Sequence, residues 1–449
     1  MSLEKEKKMK PEARLLSSLD PCQKEAAKQR EGTLCLIAGA GSGKTMTVTS
    51  RIALALEEGA WNPSKTAAIA FSNQAALSLR SKLSGMTEKK IRVSTFHSLA
   101  FSQLRRLWSL LALSPFPSLM EDKDCLLLLR RSFPSLPAPR LLSAIKWAKS
   151  SLISPGELEE ARDFFPFSLP SGFKEAWEKY ERMKSEKGAM DFDDIFLLLL
   201  RILKSSREAR QMVSRSFESV TVDEYQDVSA AQHAVLKFWT SSVESVCVVG
   251  DPSQTIYSFA GSSSWFLEHA KGDFPPPYKQ ISLASNYRSA REIIRWANSV
   301  LAPSCKKYVR LQPALRSKGS VSKESFSDFS SLAKRAAELA QNRDKEKSIA
   351  ILARSRRDLE ALKKELSSRF VPFSDLERPQ EGRVLLSTIH AAKGLEWDRV
   401  ILVIGTEKVE SSEEERRILY VACTRAKEKL DVLFIPSCQN LSRYLPFSL

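Results

Sequence analysis

The chain has 449 residues, 43% of them hydrophobic and 27% charged, with 69 lysines and arginines against 53 acids and a formal net charge of +16. At roughly 100–200 residues per domain this is about three domains' worth of chain, and so high an apolar content excludes general disorder. The charge points away from an ordinary small-metabolite enzyme and toward a polyanionic partner, either nucleic acid or an anionic membrane face.

The membrane alternative is excluded by length. The best apolar run, Ile195 to Leu203, is interrupted by Arg201 and is far shorter than the roughly 18–20 residues that span a bilayer. The first residues, with Glu4, Lys5, Glu6, Lys7 and Lys8, carry no apolar signal region, so a cytoplasmic protein is expected. The seven cysteines, Cys22, Cys35, Cys125, Cys247, Cys305, Cys423 and Cys438, form no C-x-x-C pair, which argues against a zinc ribbon, an iron–sulfur cluster or a disulfide framework.

In chain order, short β-branched runs lead repeatedly into helical patterns. Thr33–Ala38, Thr66–Ser72, Ile91–Thr95, Glu218–Asp223 and Val243–Gly250 read as buried parallel strands of a first group. A second group runs through Lys279–Ala284, Ser348–Ala353, Arg383–Ile389, Arg399–Ile404 and Lys429–Phe434. Two such series imply an α/β fold with two parallel-sheet units, whose ligands sit at the carboxyl ends of the strands. Phe101 to Met190 breaks the rhythm: rich in Leu, Trp and Arg at helical spacing and punctuated by prolines, it reads as an inserted helical subdomain without strands. The expected division is 1–100 plus 190–278, an insertion at 101–189, and a second unit at 279–449. From Ser102 to Lys149 the insertion holds eight basic residues, Lys146 and Lys149 among them, against three acids; this stripe either tracks phosphates or is a solvated helix face. A second basic stretch, Lys306–Lys323, has no acid and reads as a linker or loop.

Ala38-Gly39-Ala40-Gly41-Ser42-Gly43-Lys44-Thr45 follows a strand and opens a helix, the context that makes it a phosphate-binding loop although Ala38 replaces the first glycine of the strict pattern. Glycines let backbone N–H groups wrap phosphate oxygens, the helix N-terminus adds positive potential, Lys44 neutralises the outer phosphates and the Thr45 hydroxyl binds Mg²⁺. Thr47, within the first turn of that helix, is counted with the nucleotide-binding candidates. Val222-Asp223-Glu224-Tyr225-Gln226-Asp227 ends a strand; Asp223 is suited to hold Mg²⁺ through water and Glu224 to orient and deprotonate attacking water. Charge developing on the transferred phosphoryl group needs cations, for which Arg288 in Asn286-Tyr287-Arg288-Ser289 and Arg425 at the end of Tyr420–Arg425 are candidates. Both belong to the second unit, so hydrolysis is expected to depend on closure of a cleft between units.

Ten segments in order resemble superfamily 1A helicases of the UvrD/Rep type: Leu19–Gln23, the phosphate loop, Ala70–Asn73, Ser94–His97, Asp191–Asp194, Asp223–Asp227, Gly250–Gln254 with Ile256–Phe259, Asn286–Ser289, Ser387–Trp397, and Glu414–Arg417 leading into Tyr420–Ala426. The resemblance implies two RecA-like motor domains and ATP-dependent 3′ to 5′ movement on single-stranded DNA, with 3′-tailed or forked duplex as substrate, in repair or replication, by a monomer. It implies Gln23 as the adenine reader, Tyr287 as the ring stacked on adenine, Gln254 as the γ-phosphate sensor, Glu396 on the ribose, and Arg51 as a further ribose or base contact. It also implies that Phe71, Phe192, Tyr257 and Phe259 line the strand-binding groove, although an isolated Phe is usually a core residue. Asn73, Thr95, His97, Arg354, Thr388 and His390 are the accompanying polar contacts. With four histidines in the chain and no acid–histidine cluster at ligand spacing, no structural metal is expected.

Three departures from the family pattern bear on function. Only 30 residues, 355–384, separate Arg354 from Leu385, too few for the helical 2B subdomain that typical members carry there; its absence weakens the case for autonomous unwinding more than for translocation. Ala260 stands where the family usually has an arginine. The chain stops at Leu449, so no nuclease module or long partner-binding tail is expected. Two rival readings are a non-motor nucleic-acid-binding subunit, disfavoured by intact Lys44, Asp223, Glu224, Gln254, Arg288 and Arg425, and a GTPase or kinase switch, disfavoured by Gln23 and by arginines supplied within the chain.

Overall fold

The computed structural model describes residues 11–111, 115–301, 308–342, 348–376, 378–409, 412–437 and 439–446. Strands β1 (Gly32–Ala38), β2 (Thr66–Ala70), β3 (Arg92–Thr95), β4 (Ser118–Leu119), β5 (Ala189–Met190), β6 (Ser219–Val222), β7 (Ser245–Gly250) and β8 (Tyr278–Leu283) come first. Six of them form one sheet in the order β3-β2-β6-β7-β1-β8. All seven residues of β1 and all six of β7 are buried, as expected of interior strands covered by helices on both faces. The connection after β1 crosses β7 and β6 to reach β2, and the helix it contains, Lys44–Glu57, follows the β1 carboxyl end after the short loop 39–43.

The helical insertion has its own apolar core, in which Leu141, Ile145, Trp177 and Tyr180 from helices Ala138–Ser150 and Phe173–Glu186 meet. A buried ion network ties those helices to the next segment. Lys149 Nζ lies 2.7 Å from carboxylate oxygens of Glu181, Asp191 and Asp194, and Lys184 Nζ lies 2.7 Å from Asp191 and 2.9 Å from Glu181. Burial alone would favour the neutral acid, yet Lys149 and Lys184 hold the Asp191 carboxyl below its ordinary range.

The second sheet follows the short strands β9 (Ser285–Asn286) and β10 (Gln312–Pro313). It comprises β11 (Ser320–Ser325), β12 (Ile349–Ala353), β13 (Phe373–Asp375), β14 (Val384–Thr388), β15 (Trp397–Ile404) and β16 (Ala426–Phe434), in the order β11-β16-β15-β12-β14-β13. Its ladders are parallel, and its core joins Ile351, Leu386, Ile401 and Leu433 to helices Phe329–Gln341 and Arg356–Ser368.

Contacts divide the chain into two compact units. One comprises the described residues up to Ile37, Thr45–Gly250 and Tyr257–Ile281; the other comprises Ala38–Lys44, Asp251–Ile256 and the described residues from Ser282 onward. Several expectations are thereby corrected. The run expected at Lys279–Ala284 is β8 of the first sheet, not a member of the second. Ser320–Ser325, partly inside the expected linker, is a strand paired with β16; its polar, half-exposed residues carry no apolar signal. Lys306 and Lys307 of that stretch, like Cys305, Cys438, Glu4–Lys8 and Leu449, lie outside the described residues. The insertion contains a two-residue ladder, β4 with β5, where no strand was expected. No helix among the described residues is long and apolar enough to cross a membrane.

Candidate nucleotide site and nucleic-acid groove

The loop after β1 turns through two residues in the left-handed region, Gly41 (φ +66) and Gly43 (φ +78), which only glycine adopts without strain. Gly41 is also confined by contact: a Cβ there would sit 2.5 Å from Asn286 Nδ2 and 2.8 Å from Arg288 Cβ. Three hydrogen bonds hold the loop against β8 and the Asn286–Ser289 segment. Gly39 N–H donates to Leu283 O (3.1 Å), Tyr287 N–H to Gly41 O (2.9 Å), and Asn286 Nδ2 to Ala40 O (2.6 Å). Ser42 is buried, while Lys44 and Thr45 are half-buried at the helix start. The Tyr287 ring is 42% exposed beside the loop. A loop of glycines at positive φ, ending at a helix N-terminus with Lys44 and Thr45, fits a nucleotide's phosphates.

In the same unit, four candidates for phosphate and ribose chemistry come together in two pairs. Asp251 Oδ2 accepts Gln254 Nε2 at 2.7 Å, and Gln254 Oε1 accepts Arg425 Nη2 at 3.3 Å. Arg425 is 1% exposed, and its guanidinium also donates to Val421 O and Leu395 O. Arg288 Nε lies 2.5 Å from Glu396, whose other oxygen lies 3.0 Å from Lys427. Burial works against the Glu396 carboxylate, but Arg288 and Lys427 outweigh it and keep the acid ionised.

Asp223 and Glu224 leave the end of β6 in the first unit. Asp223 N–H donates to Ile69 O (2.9 Å), and Glu224 adopts φ +53, ψ +42, a left-handed conformation that costs a non-glycine residue roughly 1 kcal/mol or more. That turn departs from the strand line, and Gln226 Nε2 donates to the Glu224 carboxylate. Gln23 is buried in a reciprocal helix cap: its Oε1 accepts Asp20 N–H while its own N–H donates to Asp20.

Arg51 is a correction. The residue expected near ribose or base is 1% exposed, donating from Nε to Gln29 O (2.8 Å) and from Nη2 to Ser245 Oγ (2.7 Å), with its guanidinium 4.6 Å from the Trp61 ring centroid. It lies in Thr47–Leu56, where its helix is buried all round, and braces the first unit. Thr47, 1% exposed, faces that interior too.

A groove of about 580 Å³ opens in the first unit, lined by Phe71, His97, Phe192, Tyr257 and Phe259. Phe71 and Tyr257 stack at 5.5 Å and 15°, and Tyr257 meets Phe259 edge-on at 6.1 Å. Phe71, Phe192 and Phe259 keep 41%, 39% and 51% of their surface exposed, whereas a core phenylalanine would be covered. His97 packs edge-on against Phe196 (4.6 Å) and Phe192 (6.1 Å). Burial, and then the charge of Lys146, push its imidazole down to about 4, so it is neutral near pH 7. Asn73 is exposed at the start of helix Asn73–Ser84. Thr95 is committed elsewhere: its hydroxyl accepts Ser98 N–H and donates to Ser98 Oγ, capping helix Phe96–Leu110.

In the second unit, Arg354 is held bidentately by Glu415 (2.7 and 3.1 Å), the Thr388 hydroxyl accepts Ala391 N–H, and burial with the charges of Arg354 and Lys393 pushes His390 to about 4. Residue-type reasoning missed several groove residues. Lys146, Trp147, Asp193 and Phe196 also line it, and Trp147 Nε1 donates to Ser258 O at 3.0 Å, so a helix of the insertion grips the loop that carries Phe259. The advance signals were the basic stripe that includes Lys146 and the Asp191–Asp194 segment that includes Asp193.

A phosphate loop at the head of one parallel sheet, a second parallel sheet and buried arginine next to Gln254 define a P-loop nucleotide-binding protein. Residues 19–275 match the UvrD/REP helicase N-terminal domain, and residues 281–380 and 374–437 match the UvrD-like helicase C-terminal domain. The chain belongs to the UvrD/REP helicase family. It is 32% identical over 297 residues to the ATP-dependent DNA helicase PcrA of Bacillus subtilis, covering 64% of this chain and 40% of that protein. It is likewise 32% identical over 308 residues to the ATP-dependent DNA helicase UvrD2 of Mycobacterium tuberculosis, covering 64% and 44%. The matched region thus spans less than half the length of these relatives.

Proposed function

We propose that this chain is an ATP-dependent DNA helicase or translocase that hydrolyses ATP and moves 3′ to 5′ along single-stranded DNA. The observation that carries this reading is the Asp251–Gln254–Arg425 chain in the unit that contains the phosphate loop. It sets a carboxamide and a buried cation in series, the parts needed to sense a γ-phosphate and stabilise charge as the phosphoryl group leaves. In this reading Lys44 neutralises the outer phosphates, Glu224 takes the proton of the attacking water, and Arg288 is released from Glu396 to phosphate when that carboxylate turns to ribose. Thr45 and Asp223 would hold Mg²⁺, which supplies charge neutralisation across the phosphates. Gln23 and Tyr287 receive adenine. The ring cluster Phe71, Tyr257 and Phe259 supports the strand-binding role, since base stacking on exposed aromatics contributes about 1–3 kcal/mol per base.

The working substrates in this reading are single-stranded, 3′-tailed or forked DNA in the cytoplasm, for a monomer acting in repair or replication. A second reading has a specific observation in its favour: between Arg354 and β14 the described chain forms one helix, Arg356–Ser368, and the three-residue β13. That is too little for a 2B subdomain, which favours a translocase or DNA-binding ATPase working within a larger complex without autonomous unwinding. ATP hydrolysis measured with and without oligothymidylate tests the motor; absence of stimulation refutes it. Strand displacement on a 3′-tailed duplex separates the two readings.

A further inference from the structure

The groove of the first unit carries little fixed positive charge. Among its described lining residues Lys146 is the one lysine or arginine, against Asp122, Asp193 and Asp227. His97 is neutral near pH 7, and position 260 on the same wall is alanine. A strand stacked on Phe71, Tyr257 and Phe259 must still lay its phosphates along this wall, and unneutralised phosphate there would oppose binding.

Lys146 rises from helix Ala138–Ser150 of the insertion, next to Trp147, whose indole is bonded to Ser258 O. The lysine is therefore indexed to the loop bearing Tyr257 and Phe259. Its Nζ donates to both Asp122 carboxylate oxygens at 2.6 Å, and the side chains stay 32% and 61% exposed. So open a pair contributes little and exchanges readily. Lys149, three residues on, is 2% exposed and held by three carboxylates, so it cannot serve in the same way.

We propose that Lys146 is the backbone-phosphate ligand of this groove, supplied by the helical insertion, and that Asp122 occupies it as a carboxylate stand-in which the strand's phosphate displaces. This rests on the groove being the strand-binding site, and the test separates the two.

Anisotropy of a fluorescein-labelled oligothymidylate is measured across a KCl series. Lys146→Gln, which keeps the aliphatic stem, weakens binding about tenfold at low salt and flattens the log–log salt slope by about 0.7. Lys146→Arg retains affinity and slope, and Asp122→Asn tightens binding about twofold. Phe259→Ala weakens binding with the slope unchanged. Wild-type affinity and slope in Lys146→Gln, alongside weakened Phe259→Ala, overturn the assignment of Lys146 and leave the groove standing. Loss in Lys146→Gln that Lys146→Arg fails to restore also overturns it, because a packing role would behave that way. Unchanged binding in both Lys146→Gln and Phe259→Ala removes the groove reading and this proposal with it.

Discussion

The candidate phosphate loop Gly39–Gly43 offers its own backbone, one contiguous stretch in which Gly41 and Gly43 take conformations other residues resist. The groove over Phe71, Tyr257 and Phe259 instead draws side chains from separated segments, including helix Ala138–Ser150 of the insertion. A backbone cradle is intolerant of any added atom; Gly41 has no room for a Cβ. A side-chain surface shares its work among several rings and one exposed cation, so each can be removed at partial cost. Loss of function should therefore be abrupt at the loop and graded in the groove.

The largest expected effect is at the loop. Lys44→Ala abolishes ATP hydrolysis in a phosphate-release assay while oligothymidylate binding persists; loss of both would show that the two regions cannot be separated. Next comes the frame under the groove. Asp191→Ala leaves Lys149 and Lys184 with one carboxylate fewer in a buried site and costs about 3–5 kcal/mol, read as a lowered denaturant midpoint. Because those lysines depress the folded pKa of Asp191, its stabilisation is complete above the ordinary aspartate range and is lost as pH falls through the lower folded value. Phe259→Ala follows, weakening strand affinity by about 1–3 kcal/mol, and an unchanged affinity would return that ring to a packing role.

The smallest effect is a pH dependence. Burial, and then the nearby Asp191 charge, raise the Asp193 carboxyl to about 7, with Lys149 and Lys146 opposing and Asp194 adding to the rise. Asp193 lines the groove, so it is neutral below pH 7 and repels phosphate above it. Strand affinity should fall a few-fold between pH 6 and 8, a window in which His97 stays neutral, and Asp193→Asn should flatten the profile. The same raised pKa makes folding stability decline as pH rises from the ordinary aspartate range to about 7.

The strand–loop–helix shape of the candidate nucleotide site was legible in the chain because backbone chemistry is written contiguously: a strand, glycines at fixed offsets, then Lys44 and Thr45. Buried strands were legible for a similar reason, since Leu34–Ala38 of β1, Val246–Val249 of β7, all of β12 and Val400–Ile404 of β15 are apolar runs. The edge strand β11 was not, because an edge half open to water needs no apolar pattern. Arg51 was misread because residue type does not say how much of a helix is covered; Thr47–Leu56 is buried all round, and the packed structure turns Arg51 toward Gln29 and Ser245.

From its sequence alone this protein is a basic, parallel-sheet nucleotide-binding chain with an inserted helical segment, since periodicity, charge and glycine spacing are local quantities. Which of two lysines three residues apart is buried in ion pairs and which stands at the groove was decided by tertiary structure. So was the placement of β8 in the first sheet. The physical reason is common to both: burial and strand pairing depend on distant segments, and only the folded chain brings those segments together.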